Sequence, residues 1–191
     1  MFLIKTKPII ILANYRTGSS ALCWSIGELN KIESFREPVT AFRNTSSEFL
    51  KQYYKNNNYV LKFMADQINL FKPYQELLKS DCFKIKLTRE NKLDQITSCY
   101  IASVRNIWGT LDSDIKQPYV IPIYKDRIKD VIRSLRHVDD ILDTIDIKFD
   151  MELTYEQLGT INHTNRVKTH QPTNIKKIKK SIKREMDRFN D

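Results

Sequence analysis

Residues 9–24 read IIILANYRTGSSALCW and contain the strongest structural pattern of this chain. Four apolar residues, 9–12, come before a polar segment, 14–20, and an apolar helical pattern follows it. A strand, a hydroxyl-rich turn with one glycine and one cation, and then a helix form the layout of a phosphate-binding loop. The lysine of the G-x-x-x-x-G-K-[ST] motif is missing, because Ser19 follows Gly18. The sequence therefore predicts an anion-binding loop of another kind.

The residue types in this turn suit an oxyanion. A helix N-terminus offers backbone N–H groups and the positive end of the helix dipole. Gly18 lets the backbone approach a ligand closely, and the hydroxyls of Thr17, Ser19 and Ser20 are hydrogen-bond donors. Arg16 adds a fixed positive charge. The alternative is an ordinary helix start, with Thr17 or Ser19 as the N-cap.

Composition indicates a folded, soluble, cytoplasmic protein. The chain has 191 residues, of which 41% are hydrophobic and 29% charged, which suits one domain. No apolar run approaches the roughly 20 residues that span a bilayer, and the N-terminus reads as a first strand rather than a signal peptide. Cys23, Cys82 and Cys99 are odd in number and lack metal-site spacing, which favours a reducing compartment.

The net charge of +9 is concentrated near the C-terminus. Residues 166–191 contain nine Lys or Arg against three Asp or Glu. Such a balance fits an anionic partner, which is a nucleic acid, a membrane surface or a polyphosphorylated small molecule. The alternative is a solvated helix face, since the tail also has one apolar stripe at helical spacing: Ile175, Ile178, Ile182, Met186 and Phe189.

Strands and helices alternate along the rest of the chain. Apolar patterns predict strands near 8–13, 59–64, 82–88 and 147–154, and helices near 18–30, 46–57, 66–79, 91–107, 122–145 and in the tail. This order predicts an α/β fold, a P-loop-like three-layer α/β/α arrangement with a central parallel sheet, as a single domain over 1–191. Ligands bind at the carboxyl ends of such strands, where the loop 14–20 begins.

Two segments carry a resemblance to a known family. YRTGSSAL, residues 15–22, resembles the 5′-phosphosulfate loop of sulfotransferases that use 3′-phosphoadenosine 5′-phosphosulfate (PAPS). KLDQITS, residues 92–98, resembles the bacterial trehalose 2-sulfotransferase-like subgroup. The resemblance covers most of residues 8–160, and two further segments resemble the family more weakly: YVLKFMADQI (59–68) and LTYEQLG (153–159). It implies a single, compact sulfotransferase-like domain.

The resemblance implies a set of donor-binding residues. Arg16, Thr17, Gly18, Ser19 and Ser20 would hold the 5′ end of PAPS. The 3′-phosphate would be held by Arg89 at a strand end and by Ser98 on the next helix. The usual separation of these two residues is eight, and here it is nine, so Thr97 is an alternative to Ser98. Lys168 and, more weakly, Arg105 are further candidates for that phosphate, whereas Arg89 pairing with Glu90 or Asp94 is the structural alternative.

The resemblance also implies catalytic roles. Sulfuryl transfer is an in-line displacement that needs positioning and charge stabilisation. Arg16 would neutralise the leaving oxygen, Lys62 would be a second cation, and Glu37 would be the general base, with His170 in reserve. The structural interpretations are that Glu37 pairs with Arg36 or Arg43 and that Lys62 is a solvated strand-end lysine. Tyr155 and Glu156 are expected to be structural, and Trp108 and Tyr119 to line a pocket or the core.

The sequence thus predicts a PAPS-dependent sulfotransferase that needs no metal. Its acceptor is expected to be a small molecule or carbohydrate, with no nucleic acid and no membrane as partner. A competing hypothesis is a P-loop-like nucleotide or small-molecule kinase, which needs a lysine at the end of the first loop and an aspartate at a strand end for Mg²⁺. A nucleic-acid-binding protein that uses the basic tail, and a folded but inactive sulfotransferase, are two more hypotheses. The acceptor and the oligomeric state are not encoded in any sequence pattern.

Overall fold

The structure is a computed structural model that describes residues 7–36, 58–68, 72–108, 119–160 and 171–190. The chain divides into two compact units. The first comprises Met1–Glu90 and His137–Ile161, and the second comprises Asn91–Arg136 and Asn162–Asp191. Within the described ranges, no helix combines the length and the apolar character that crossing a membrane would require.

A five-stranded sheet forms the first unit. Its strands are β1 (Ile9–Ala13), β2 (Glu33–Arg36), β3 (Tyr59–Met64), β4 (Phe83–Thr88) and β5 (Met151–Thr154). The order across the sheet is β2-β3-β1-β4-β5, and each pair of neighbouring strands is parallel. The central strand β1 is buried along its whole length, as a continuous apolar run in a parallel sheet requires.

Helices cover both faces of this sheet. They are α1 (Ser19–Asn30), α2 (Lys72–Lys79) and the part of α4 (Lys125–Thr144) that belongs to the first unit. Helix α3 (Lys92–Arg105) comes between α2 and α4 in the chain and belongs to the second unit. Ile10 and Leu12 of β1 pack in one core cluster with Tyr74 and Leu77 of α2 and with Val138 and Leu142 of α4. Ile9, Ile11 and Ala13 pack in the other cluster with Leu22 and Cys23 of α1. The predicted three-layer α/β/α, P-loop-like fold is confirmed.

The described residues of the second unit are mostly helical. Helix α3 packs against α5 (Ile175–Asn190), and the apolar stripe predicted for the tail is turned inward at Ile178 and Ile182, which are fully buried. The hydroxyl of Tyr100 on α3 donates to the Pro122 carbonyl at 2.6 Å and accepts the Tyr124 N–H at 2.9 Å. Burial raises the pKa of this Tyr100 hydroxyl.

Three elements differ from the sequence prediction. Strand β2 is not predicted, because ESFR is short and has charged residues at both ends. The helix expected over 66–79 is a 3₁₀ turn, Ala65–Gln67, and then α2, since proline is tolerated in the first turn of a helix but interrupts a helix that continues through it. The strand expected near 147–154 is only Met151–Thr154. The helix expected near 46–57 lies outside the described residues.

Candidate functional site

The sheet register brings the segments after four strands to one edge. Ala13 at the end of β1 pairs with Met64 of β3 and Leu87 of β4, and Thr88 pairs with Thr154 of β5. The residues that follow these positions are therefore neighbours at the carboxyl edge of the sheet. Loop 14–20 lies at the centre of this edge, because it follows the central strand.

Two left-handed residues shape the loop. Arg16 has φ 59°, and Gly18, the N-cap of α1, has φ 78° and ψ 11°. No side chain caps this helix start among the described residues, and the Gly18 carbonyl accepts the N–H groups of Ala21 and Leu22 at 3.0 Å each. The interpretation of Thr17 or Ser19 as the N-cap is therefore wrong. The first N–H groups of such a helix start suit an anion in front of the loop.

Buried polar contacts hold the start of the loop. Asn14 and Thr17 are fully buried, and the Thr17 hydroxyl donates to the Asn14 carbonyl at 2.8 Å. The Asn14 side chain accepts the Tyr15 N–H at 2.6 Å and donates to Asp139 Oδ1 of α4 at 2.7 Å. The Tyr15 hydroxyl donates to Asp66 Oδ2 at 2.8 Å. Together these contacts stabilise the observed backbone conformation at the start of the loop.

Lys62 brings a second cation to the loop. Its side chain lies on β3, is only 1% exposed, and donates from Nζ to Ser20 Oγ at 3.2 Å. The interpretation of Lys62 as a solvated strand-end lysine is therefore wrong. A buried ammonium is costly unless anions or hydrogen bonds compensate it, and the Ser20 hydroxyl is one such partner of Lys62. The structure thus brings together Lys62 and Ser20, two of the predicted site residues.

Asp66 and Asp139 are two carboxylates beside the loop that were not predicted from the sequence. Asp139 accepts the Asn14 amide, and Asp66 accepts the Tyr15 hydroxyl through Oδ2. The Oδ1 atom of Asp66 is buried and has no hydrogen-bond partner among the described residues. Asp66 stands two residues after the end of β3, and this strand-end position is the one signal that marks it in the sequence. Over the described ranges, no three His, Cys, Asp or Glu side chains come together as a metal site would require.

Arg89 follows β4 and contacts the loop directly. Its Nη1 donates to the Arg16 carbonyl at 3.1 Å, and its guanidinium carbon lies 4.3 Å from the centroid of the Tyr155 ring. Its ion pair is with Glu156, whose Oε1 lies 3.9 Å from Arg89 Nε. The structure therefore brings Arg89 to Arg16, and it makes Tyr155 and Glu156 part of the same cluster.

The remaining phosphate-ligand candidates lie elsewhere in the chain. Ser98 and Thr97 are on α3 in the second unit, and Thr97 is buried with its hydroxyl donating to the Leu93 carbonyl at 2.6 Å. Arg105 lies 4.6 Å from the centroid of the Tyr119 ring. Three further candidates, Glu37, Lys168 and His170, lie outside the described residues. The roles expected for all of these residues stay predictions.

Comparisons with known proteins give structural similarity only. No protein-family model and no curated protein matches the sequence. Among solved structures, the chain is similar to shikimate kinase from Acinetobacter baumannii in complex with shikimate, with 13% identity and a TM-score of 0.48, over 96% of this chain and 95% of that chain. It is also similar to shikimate kinase from Aquifex aeolicus vf5, with 13% identity and a TM-score of 0.43, over 94% and 98% of the two chains. At these values the similarities assign the chain neither a family nor an activity.

Proposed function

We propose that this chain is a nucleotide-dependent transferase that binds PAPS at loop 14–20 and transfers its sulfuryl group to a hydroxyl or amine acceptor. One observation carries the proposal: the buried Lys62 Nζ lies 3.2 Å from Ser20 Oγ, beside a helix start whose N-cap Gly18 is left-handed. Backbone N–H groups, hydroxyls and an ammonium are thus grouped at one helix start. Such a set of donors suits a phosphate or sulfate group.

The chemistry follows from that set. The acceptor oxygen or nitrogen forms a bond to sulfur while the bond from sulfur to the bridging oxygen breaks, and adenosine 3′,5′-bisphosphate leaves with that oxygen. Negative charge grows on the bridging oxygen, which Arg16 and Lys62 would stabilise. The acceptor proton passes to a general base, for which Glu37 stays our candidate. A small molecule or a carbohydrate with a free hydroxyl is the proposed acceptor class.

A second candidate function is phosphoryl transfer from ATP, and one observation favours it. A kinase of the P-loop type needs a lysine beside the loop hydroxyl and an aspartate at a strand end. Lys62 supplies that ammonium from β3 rather than from the loop itself, and Asp66 follows the end of β3. The Tyr15 hydroxyl holds Asp66 through Oδ2, which leaves Oδ1 without a hydrogen bond from the described residues. The absent loop lysine therefore does not exclude this chemistry.

Calorimetric titration distinguishes the two candidates. Adenosine 3′,5′-bisphosphate without metal, and ATP with and without Mg²⁺, would be titrated into the wild type and Arg16→Ala at one ionic strength. The sulfotransferase proposal predicts that the bisphosphate binds without metal and that Arg16→Ala weakens it by about tenfold or more, the contribution of one charge-assisted hydrogen bond. Tight binding of Mg-ATP with no binding of the bisphosphate supports phosphoryl transfer. If a folded wild type binds neither nucleotide, both proposals are wrong.

Turnover is the second readout. With PAPS and a panel of hydroxyl compounds, the proposal predicts that adenosine 3′,5′-bisphosphate is released faster with one acceptor class than without any. The matched control is Lys86→Ala, which removes a cation from β4 that pairs with Asp143 and does not belong to the loop cluster. Lys86→Ala is expected to keep the wild-type rate.

A further inference from the structure

The Tyr155 ring fills the space behind the loop. A Cβ built on Gly18 would lie 2.8 Å from Tyr155 Cδ2 and 3.0 Å from Cε2, so the ring touches the loop backbone. The guanidinium carbon of Arg89 lies over the same ring, 4.3 Å from its centroid. Tyr155 is thus in contact with both Gly18 and Arg89. The register explains this meeting, because Thr88 and Thr154, the residues immediately before Arg89 and Tyr155, are paired across β4 and β5.

Arg89 also fixes the backbone of the loop at its most unusual residue. Its Nη1 donates to the carbonyl of Arg16 at 3.1 Å, and Arg16 has φ 59°. This left-handed conformation is unfavourable for a residue with a Cβ atom, so contacts with surrounding residues must stabilise Arg16 in it. The hydrogen bond from Arg89 fixes the peptide group that follows this strained position.

Glu156 holds the guanidinium in place. Its Oε1 lies 3.9 Å from Arg89 Nε, and its Oε2 accepts the N–H of Glu90 at 3.1 Å. The Arg89 side chain is 13% exposed, and its Nε has no hydrogen-bond partner among the described residues. Arg89 is therefore held between a ring, a carboxylate and the loop backbone.

We propose that Arg89 and Tyr155 form a clamp that keeps loop 14–20 in its anion-binding conformation. Both are then positioning residues: they act through the backbone of Arg16 and Gly18 and leave the 5′-phosphate itself to the loop. The proposal rests on the proposed function, in that the loop is the 5′-phosphate site. It differs from the role that the family resemblance implies for Arg89, which is direct contact with the 3′-phosphate.

Two nucleotides that differ only in the 3′-phosphate separate these roles. Adenosine 5′-phosphate and adenosine 3′,5′-bisphosphate would be titrated into the wild type, Arg89→Ala and the control Lys86→Ala. The clamp predicts that Arg89→Ala weakens both nucleotides by a similar factor, about tenfold for the loss of a charge-assisted hydrogen bond, and that Lys86→Ala changes neither. A loss confined to the bisphosphate would overturn the clamp and make Arg89 a 3′-phosphate ligand, and no loss for either nucleotide would also overturn it.

Tyr155 provides an independent pair of variants. Tyr155→Phe keeps the ring that touches Gly18 and Arg89, whereas Tyr155→Leu removes the flat face. The clamp predicts wild-type affinity for both nucleotides in Tyr155→Phe and a loss similar to that of Arg89→Ala in Tyr155→Leu. The double variant Arg89→Ala, Tyr155→Leu should lose little more than either single variant, because the two residues act as one unit. Equal affinities for Tyr155→Phe and Tyr155→Leu would contradict the proposal.

Hydrogen exchange tests the clamp without any nucleotide. In the ligand-free protein, the amides of Ala21 and Leu22, which donate to the Gly18 carbonyl, should exchange faster in Tyr155→Leu than in the wild type or Tyr155→Phe. Amides of β3 are the internal reference, since a general loss of stability would speed their exchange as well. Unchanged exchange at Ala21 and Leu22 would overturn the clamp even if no nucleotide binds. If the wild type binds neither nucleotide but exchange rises as expected, the proposed function fails and the clamp stands.

Discussion

Loop 14–20 and helix α5 are both rich in groups that suit anions, but they present them in opposite ways. The loop has one cation, and its Asn14 and Thr17 side chains are fully buried and hydrogen-bonded. Helix α5 has seven Lys or Arg residues, of which only Lys179 is even partly buried. Its apolar residues Ile178 and Ile182 are fully buried, so its cations form the opposite, solvent-facing side.

A large number of cations therefore does not by itself make a binding site. Solvated lysines keep their hydration and contribute little to stability, and a salt bridge such as Lys179–Asp94, with side chains 39% and 35% exposed, is a weak constraint. The loop instead has a strained backbone held by directed hydrogen bonds, and the buried Lys62 of β3 lies beside it. We therefore propose ligand binding at the loop, and the burial of Ile178 and Ile182 gives the apolar side of α5 a structural role.

The largest effect is expected at the buried side of α5. Ile182→Ala should lower the free energy of unfolding by about 3 kcal/mol, since it removes a fully buried side chain and leaves a cavity. Chemical denaturation followed by circular dichroism measures this change. Lys183→Ala, on the neighbouring exposed position, is the control and should stay within about 0.5 kcal/mol of the wild type. Equal effects of the two substitutions would contradict the assignment of the two sides of the helix.

Gly18→Ala should have the next largest effect. The new Cβ would lie 2.8 Å from Tyr155 Cδ2 and would stand at φ 78°, so we expect a loss of about 2 kcal/mol in the free energy of unfolding. Nucleotide affinity should fall as well, because the loop must shift. Gly159→Ala is the matched control, since nothing lies within 4 Å of its added Cβ. A Gly18→Ala protein with wild-type stability and affinity would show that the loop is not tightly packed.

Lys62→Met should separate binding from stability. Removing the ammonium is expected to weaken adenosine 3′,5′-bisphosphate by roughly 10- to 100-fold, the contribution of a charge-assisted hydrogen bond to phosphate. The free energy of unfolding of the same variant shows whether a loss of affinity comes from the missing ammonium or from a less stable fold, since Met occupies about the volume of the buried Lys62 side chain. Calorimetric titration and thermal unfolding of one preparation give both values. Unchanged affinity would show that Lys62 does not contribute to binding of the bisphosphate.

The smallest effect is expected on the exposed side of α5. Replacing Lys176, Lys180 and Lys183 together by Gln should change the free energy of unfolding by less than about 0.5 kcal/mol per site and leave bisphosphate affinity unchanged. Titration at two salt concentrations checks this, since long-range attraction would appear as a salt-dependent difference from the wild type. A large loss of affinity in this variant would mean that the basic helix, rather than the loop, recruits the nucleotide.

Much of the fold was predictable because its central strands are strongly apolar. IIILA and YVLKFM are buried throughout, and a parallel sheet covered on both faces follows from strands that alternate with helices. Strand β2 was not predictable, because it lies at the edge of the sheet and its four residues mix charged and apolar types. Sheet order and register are set by contacts between residues far apart in the chain, which local patterns do not encode.

The site was predictable at the loop and only partly around it. The strand, the glycine and the hydroxyls after it predict a helix start that suits an anion, but the N-cap is Gly18 rather than Thr17 or Ser19. That Lys62 reaches Ser20 depends on strand pairing, as does the contact of Arg89 with Arg16. The left-handed conformation of Arg16 could not be predicted from the sequence, since arginine has no preference for it.

A crystal structure of the chain with adenosine 3′,5′-bisphosphate would show whether loop 14–20 binds the 5′-phosphate. We expect the 5′-phosphate at the N-terminus of α1, with its oxygens about 3 Å from the backbone N–H groups of residues 18–20 and from Lys62 Nζ. Arg89 should keep its hydrogen bond to the Arg16 carbonyl. A 5′-phosphate bound away from the loop, with the loop in its present conformation and empty, would contradict the account.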